Sequence, residues 1–200
     1  MNTLKAEKRD MKTKAKRLRR EGFVTGNVFG REIKESIPIQ IEKGTAERLL
    51  KTNGRGSQVM LDLDGQSMDV LIKDVDYAPM GGPIYEIDFQ ALVSGEKVNS
   101  VAEVFLLNHE KVIAGIVQQQ LREIAFKALP SALVEKVTID VGDMKIGDTI
   151  KVKDLDIAAD KDIDLITDPD TDIVTVTEAR NAPIESDTDE DADTVESTEV

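Results

Sequence analysis

The chain has 200 residues, 40% of them apolar, and a formal charge of -13 at pH 7. It contains no cysteine, which excludes a disulfide scaffold, a cysteine-ligated zinc site and thiol catalysis, and fits a cytoplasmic protein. No apolar run approaches the roughly 18 residues needed to span a bilayer, and the charged N-terminus has no apolar stretch of a secretory signal.

The charge is unevenly distributed. Residues 1–20 hold nine Lys and Arg against two acids, a local +7. Residues 91–180 carry a net -7, and residues 181–200 a net -8 with no base at all. The one basic segment in an acidic chain predicts contact with a polyanion. Aromatics are 4% of the chain and Trp is absent, so the core must be built from Val, Ile and Leu with a few Phe and Tyr.

In chain order, Leu4 and Ala6 alternate with Lys5 and Glu7, which predicts a short strand over Thr3 to Arg9. Thr13 to Glu21 reads as a basic helix, with Thr13 as a candidate N-cap and Gly22 placed to end it. Lys12, Lys16, Arg19 and Arg20 can share one helical face, leaving Ala15 and Leu18 to face the core. Phe23 to Phe29 reads as a strand. Ile37, Ile39 and Ile41 mark a half-buried strand over Ser36 to Ile41, and Thr45 to Lys51 a short helix. Gln58 to Leu63 and Ser67 to Asp74 flank Asp64-Gly65, a strong hairpin signal because both turn residues tolerate positive φ. A loop at Ala78 to Pro83 precedes a strand over Ile84 to Leu92. Five or more short strands with two small helices predict a closed or nearly closed antiparallel barrel, which hides strand edges.

Ser94-Gly95-Glu96-Lys97 marks a boundary. Beyond it, strands are expected at Val98 to Leu107, Lys136 to Val141, Thr149 to Val152, Ile163 to Thr167 and Asp172 to Thr177. Asp168-Pro169-Asp170 reads as a turn, and Asp154 to Asp162 as a polar connection. Val112 to Leu129 is ambiguous: Gln118 to Gln120 and Arg122 suit a helix, whereas Glu123 to Leu129 alternates like a strand. The fold class is therefore mainly β with small helices. An N-terminal β-barrel (1–93) is followed by a second β-rich domain (94–180) and a disordered acidic tail (181–200) with too little to bury to offset its ordering entropy.

Few residues point to other chemistry. His109, the lone histidine, reads as a loop residue without partners for a zinc site or triad. Asp168 to Asp172 lacks the mid-loop glycine and distal Glu of a calcium loop. Met80-Gly81-Gly82 is not followed by a phosphate-binding element. No nucleophile with a base stands out, so an enzyme is not expected, nor a cofactor.

The order KRLRREG, a strand ending in Phe29-Gly30, VLIKDVDYAP and IYEIDF resembles the 5S-rRNA-binding proteins of the bacterial large ribosomal subunit, in the long two-domain form of the general stress protein Ctc family. QQQLREIAFKALP, VEKVTIDVGDMKIGDTIKVKDL and ITDPDTDIVTVT extend the resemblance over nearly all of residues 4–180. It implies a barrel seated on an internal loop of 5S rRNA, in a protein that is cytoplasmic, ribosome-associated and monomeric off the ribosome. Carried over by position, the implied RNA contacts are Arg9, Lys12, Lys14, Lys16, Arg17, Arg19, Arg20, Phe29, Lys73, Glu86 and Asp88. The chain departs from the resemblance at Thr25, where Pro is usual, at Phe29, where Tyr is common, and at Glu86, which stands in place of His. The family helix's Gly-Lys-Gly-like start is also shortened to Met11-Lys12-Thr13. A carboxylate at position 86 repels phosphate, so a second expectation is a stress-associated paralogue with weakened RNA binding that works through its acidic second half.

Overall fold

A computed structural model describes residues 3–112 and 115–178; the acidic tail at 181–200 lies outside them. The first strand, β1 (Thr3–Lys8), turns Leu4 and Ala6 inward, as its alternation predicts. The basic helix α1 (Ala15–Arg20) is capped in position by Lys14 rather than Thr13, with no side-chain cap. It stops where expected, because Gly22 takes φ +92. After β2 (Phe23–Gly30) come β3 (Ile33–Glu42) and α2 (Lys43–Leu50), which begins directly at the strand's end. The hairpin β4 (Gln58–Leu63) and β5 (Gln66–Tyr77) turns on Asp64 and Gly65, both at positive φ (51 and 88), and β6 (Ile84–Ala91) follows.

These six strands close a barrel in the order β1-β3-β2-β6-β5-β4, with β1 and β4 completing the ring. Two of its seams, β1/β4 and β2/β6, are parallel, so the barrel is mixed rather than purely antiparallel. Hairpins can only give antiparallel neighbours. The parallel seams arise because the chain crosses the barrel between β2 and β6 and again between β1 and β4. The interior is packed by Leu4, Val24, Val28, Ile39, Ile41, Leu61, Ile72, Ile87 and Phe89, all at most 1% exposed.

The second half has two sheets. In one, β10 (Lys136–Asp140), β7 (Val98–Leu107), β9 (Glu123–Ala128) and β12 (Ile163–Leu165) lie side by side. In the other, β11 (Thr149–Lys151) and β8 (Ile116–Gln119) flank β13 (Asp172–Thr177). Gln118 and Gln119 are thus in a strand, not a helix. The polar connection at 154–162 contains a single-turn helix, α3 (Asp156–Ala159), pinned by the buried Ile157. The Asp168-Pro169-Asp170 turn does not close a hairpin, because β12 joins β9 and β13 joins the other sheet. Phe126, Ile124 and Ile173 are fully buried in the second half.

Polar contacts join the barrel to the second half. Arg55 reaches Asp74 at 3.4 Å within the barrel and Glu123 of β9 at 3.3 Å. The Gln58 amide donates to Glu135 at 3.4 Å. Gly56, at φ +81, presses so closely on the Val101 carbonyl that a Cβ there would overlap it.

Candidate nucleic-acid interface

Helix α1 has six residues, too few to persist alone in water. It is held on the barrel by its one buried residue, Leu18, at 6% exposure, and by Arg19. The chain leading into it is a tight turn: Thr13 N–H donates to the Asp10 carbonyl, and Lys12 N–H to the Asp10 carboxylate. Arg9 donates through Nη2 to the Thr13 carbonyl at 3.1 Å and so helps hold that turn, while its buried Nε has no partner among the described residues.

With α1 seated in this way, its other cations point to solvent. Lys12, Lys14, Lys16 and Arg20 are exposed and have no side-chain ion pair or hydrogen bond among the described residues. Arg17 pairs with Glu21 at 2.8 Å on the surface, which holds its guanidinium above the usual arginine range. So exposed a pair yields readily to another anion.

Next to α1 lies the outer face of β2, β6 and β5. The parallel register sets Thr25 opposite Glu86 and Asn27 opposite Asp88; on the other side of β6, Asp76 and Asp74 face the same two acids. Asn27 donates from Nδ2 to both Glu86 (3.1 Å) and Asp88 (3.2 Å), tying the two carboxylates together. Arg19 reaches across from α1 to Thr25, to the Tyr85 carbonyl and to within 3.9 Å of Glu86. The half-buried Phe29 lies on the same strand as Thr25 and Asn27, opposite Gln90. The site is bipolar: a cationic helix beside a row of carboxylates, two of which accept from the Asn27 amide while Glu86 also lies within ion-pair distance of Arg19.

Lys73 is placed apart from this arrangement. It sits where β5 slips register against β6, and its Nζ donates to the Asn99 carbonyl of the second half at 2.8 Å. Partial burial and the nearby Arg55 charge hold its ammonium below the usual lysine range. Of the residues anticipated from sequence, then, α1, Arg19, Glu86, Asp88 and Phe29 are brought to one region, Arg9 holds the turn leading into α1, and Lys73 faces the second half. Asn27 and Tyr85 were not anticipated. The outward position of Asn27 follows from strand alternation, whereas Tyr85 shares the parity of the inward Ile87 and Phe89 and is exposed because the alternation of β6 breaks after Ile84, where β5 slips register. Their partners depend on the β2/β6 register, which leaves no local trace. Among the described residues no cluster of metal-ligating side chains occurs.

A cationic helix fixed on a closed β-barrel defines the class as small barrel proteins with a basic surface helix, and comparison with known proteins narrows that class. Residues 4–89 match the Ribosomal L25p family, and residues 97–180 match the family described as ribosomal protein TL5, C-terminal domain. Proteins named large ribosomal subunit protein bL25 are similar over most of the chain. The one from Thermoanaerobacter pseudethanolicus is 30% identical over 158 residues, 78% of this chain and 79% of the relative. That of Caldanaerobacter subterraneus is 31% identical over 160 residues, with the same coverage. That of Geobacillus thermodenitrificans is 29% identical over 152 residues, 74% of this chain and 72% of the relative. The chain belongs to the ribosomal L25p family, in the form that carries a TL5-type C-terminal part. This is a family of structural ribosomal proteins, not enzymes.

Proposed function

We propose that the chain is a component of the large ribosomal subunit whose barrel, as a domain of residues 1–93, binds an internal loop of 5S rRNA. The observation that carries this reading is the set of unpaired cations on α1 and just before it (Lys12, Lys14, Lys16 and Arg20), beside the Asn27-bridged carboxylates. Lys12, Lys14, Lys16, Arg17 and Arg20 neutralise phosphates. Glu86 and Asp88 accept from base amino groups in a distorted minor groove, where donors are exposed and recognition is mainly by shape. That division answers the repulsion expected of Glu86, because its carboxylate meets donors and not phosphate. The second domain, 94–180, turns its net -7 away from the RNA, toward basic neighbours on the subunit. The protein is cytoplasmic and ribosome-associated, and a monomer when free.

A competition between the 5S rRNA internal-loop fragment and an unrelated RNA duplex of equal length tests the reading. Clear preference for the fragment is expected; equal affinity sinks it. The engagement of Lys73 by Asn99 favours one alternative, a paralogue that acts through its second half as a protein-binding module. Ribosome sedimentation separates the two: co-migration with the large subunit that survives removal of residues 95–200 contradicts the alternative.

A further inference from the structure

Arg19 differs from every other cation on α1. Its Nε donates to the Tyr85 carbonyl at 3.2 Å and its Nη2 to Thr25 Oγ1 at 3.1 Å. Its guanidinium carbon lies 4.4 Å from the centre of the Tyr85 ring, and Nη2 is 3.9 Å from Glu86. One edge and one face of the guanidinium are therefore occupied from within the protein. The receiving site is prebuilt. Thr25 is 1% exposed and its Oγ1 donates in turn to the Tyr85 carbonyl at 3.3 Å. Arg17 and Arg20, on the same turn, are open to solvent.

We infer that Arg19 is a positioning residue: it straps α1 across the β2/β6 seam so that its exposed neighbours meet the RNA backbone from a fixed helix, and it does not itself neutralise a phosphate. The need for a strap follows from α1 itself. This six-residue helix has no side-chain cap, and Leu18 is its single buried residue, so burial alone fixes it at one point. Arg19 adds a second attachment at the adjacent helical position, roughly 100° around the axis, and reaches two strands at once. A cation held before binding loses less freedom on binding. Lysine cannot replace it, because an ammonium lacks the planar fork that meets a carbonyl and a hydroxyl together.

The proposal rests on the RNA-binding reading for its consequence, though not for its geometry, so the experiment has two arms. In the first, hydrogen exchange of the free full-length chain is compared among wild type, Arg19→Ala, Arg19→Lys, Thr25→Val and Lys16→Ala. Exchange over α1 should quicken in the first three variants and stay unchanged in Lys16→Ala, with β-strand protection intact throughout. In the second, affinity for the 5S rRNA internal-loop fragment is measured across a salt series. Arg19→Ala and Arg19→Lys should each weaken binding about tenfold, roughly the loss of one net hydrogen bond and an exposed cation–π contact, without changing the slope of log affinity against log salt. Lys16→Ala should make that slope shallower by about 0.7 to 0.9, the contribution of one phosphate contact. Unchanged α1 exchange in Arg19→Ala, a slope that drops as it does in Lys16→Ala, or full affinity in Arg19→Lys overturns the proposal. If wild type shows no preference for the fragment, the RNA reading fails while the exchange arm still decides the strap.

Discussion

Replacing Gly26 with alanine attacks the seam on which the whole site is assembled. Gly26 lies in β2 opposite Ile87 of β6, between Thr25 and Asn27. A Cβ there would overlap the Ile87 carbonyl oxygen, approach the Ile87 carbonyl carbon to 3.2 Å and meet Ile39 Cγ1 at 3.5 Å. The obstruction is backbone, so no rotamer change relieves it. In an open sheet the strands could splay, but a closed ring passes any widening on to the next seam. Overpacking of this kind costs about 1 to 3 kcal/mol, and pulling one or two ladder hydrogen bonds out of line adds about 1 kcal/mol each. A loss of about 3 kcal/mol is expected, or roughly 12 to 24 °C in Tm for a unit of this size. Urea unfolding measures it, with Gly44→Ala as the control. Gly44 lies in α2, a Cβ there meets nothing within 4 Å, and alanine should raise stability by up to about 1 kcal/mol. A Gly26→Ala loss below about 1 kcal/mol would show that the seam yields, and the rigid placement of Thr25, Asn27 and Arg19 would no longer follow.

Three other outcomes are expected. Lys73→Ala should leave the salt slope of RNA binding unchanged while lowering stability by about 1 kcal/mol, because its ammonium serves the Asn99 carbonyl; titrations and urea midpoints on the full chain check both. Phe126→Ala, at a fully buried position in the second half, should cost about 3 to 5 kcal/mol, seen as an early unfolding transition in calorimetry. Asp140 is held below the usual carboxylate range first by the Asn108 side-chain amide and then by the Gly142 N–H, and Asp170 likewise by Lys153. Depressed values mean that their stabilisation is whole above the ordinary aspartate pKa of about 3.9 and lost as pH falls through the lowered values. Asp140→Asn should therefore flatten the fall of the urea midpoint in acid.

Strong local signals in the sequence mark local structure, whereas the cap at Lys14, the single-turn α3 and the strand at Gln118 and Gln119 escape them. Asp64-Gly65 marked its hairpin, Gly22 the end of α1, and Ile37, Ile39 and Ile41 one face of β3, because each depends on dihedral preference or a two-residue period. Pairings between distant strands were not legible. Nothing near Thr25 or Glu86 shows that they sit opposite each other, so the parallel seams went unread, as did the assignment of β12 and β13 to different sheets. The site divides along the same line. The cations of α1 are visible as charge, whereas Asn27, Tyr85 and the commitment of Lys73 come from registers and contacts set by tertiary packing. Thr25 and Glu86, which stood out in the sequence as separate departures, both turn toward Arg19. They are parts of one local arrangement.

The most direct test of the account is the salt dependence of binding between the full chain and the 5S rRNA internal-loop fragment. If Lys12, Lys14, Lys16, Arg17 and Arg20 carry the phosphate contacts, log affinity should fall against log salt with a slope of roughly -3.5 to -4.5, at about 0.7 to 0.9 per contact. A slope near zero, or the same slope and affinity for an unrelated duplex, would contradict it.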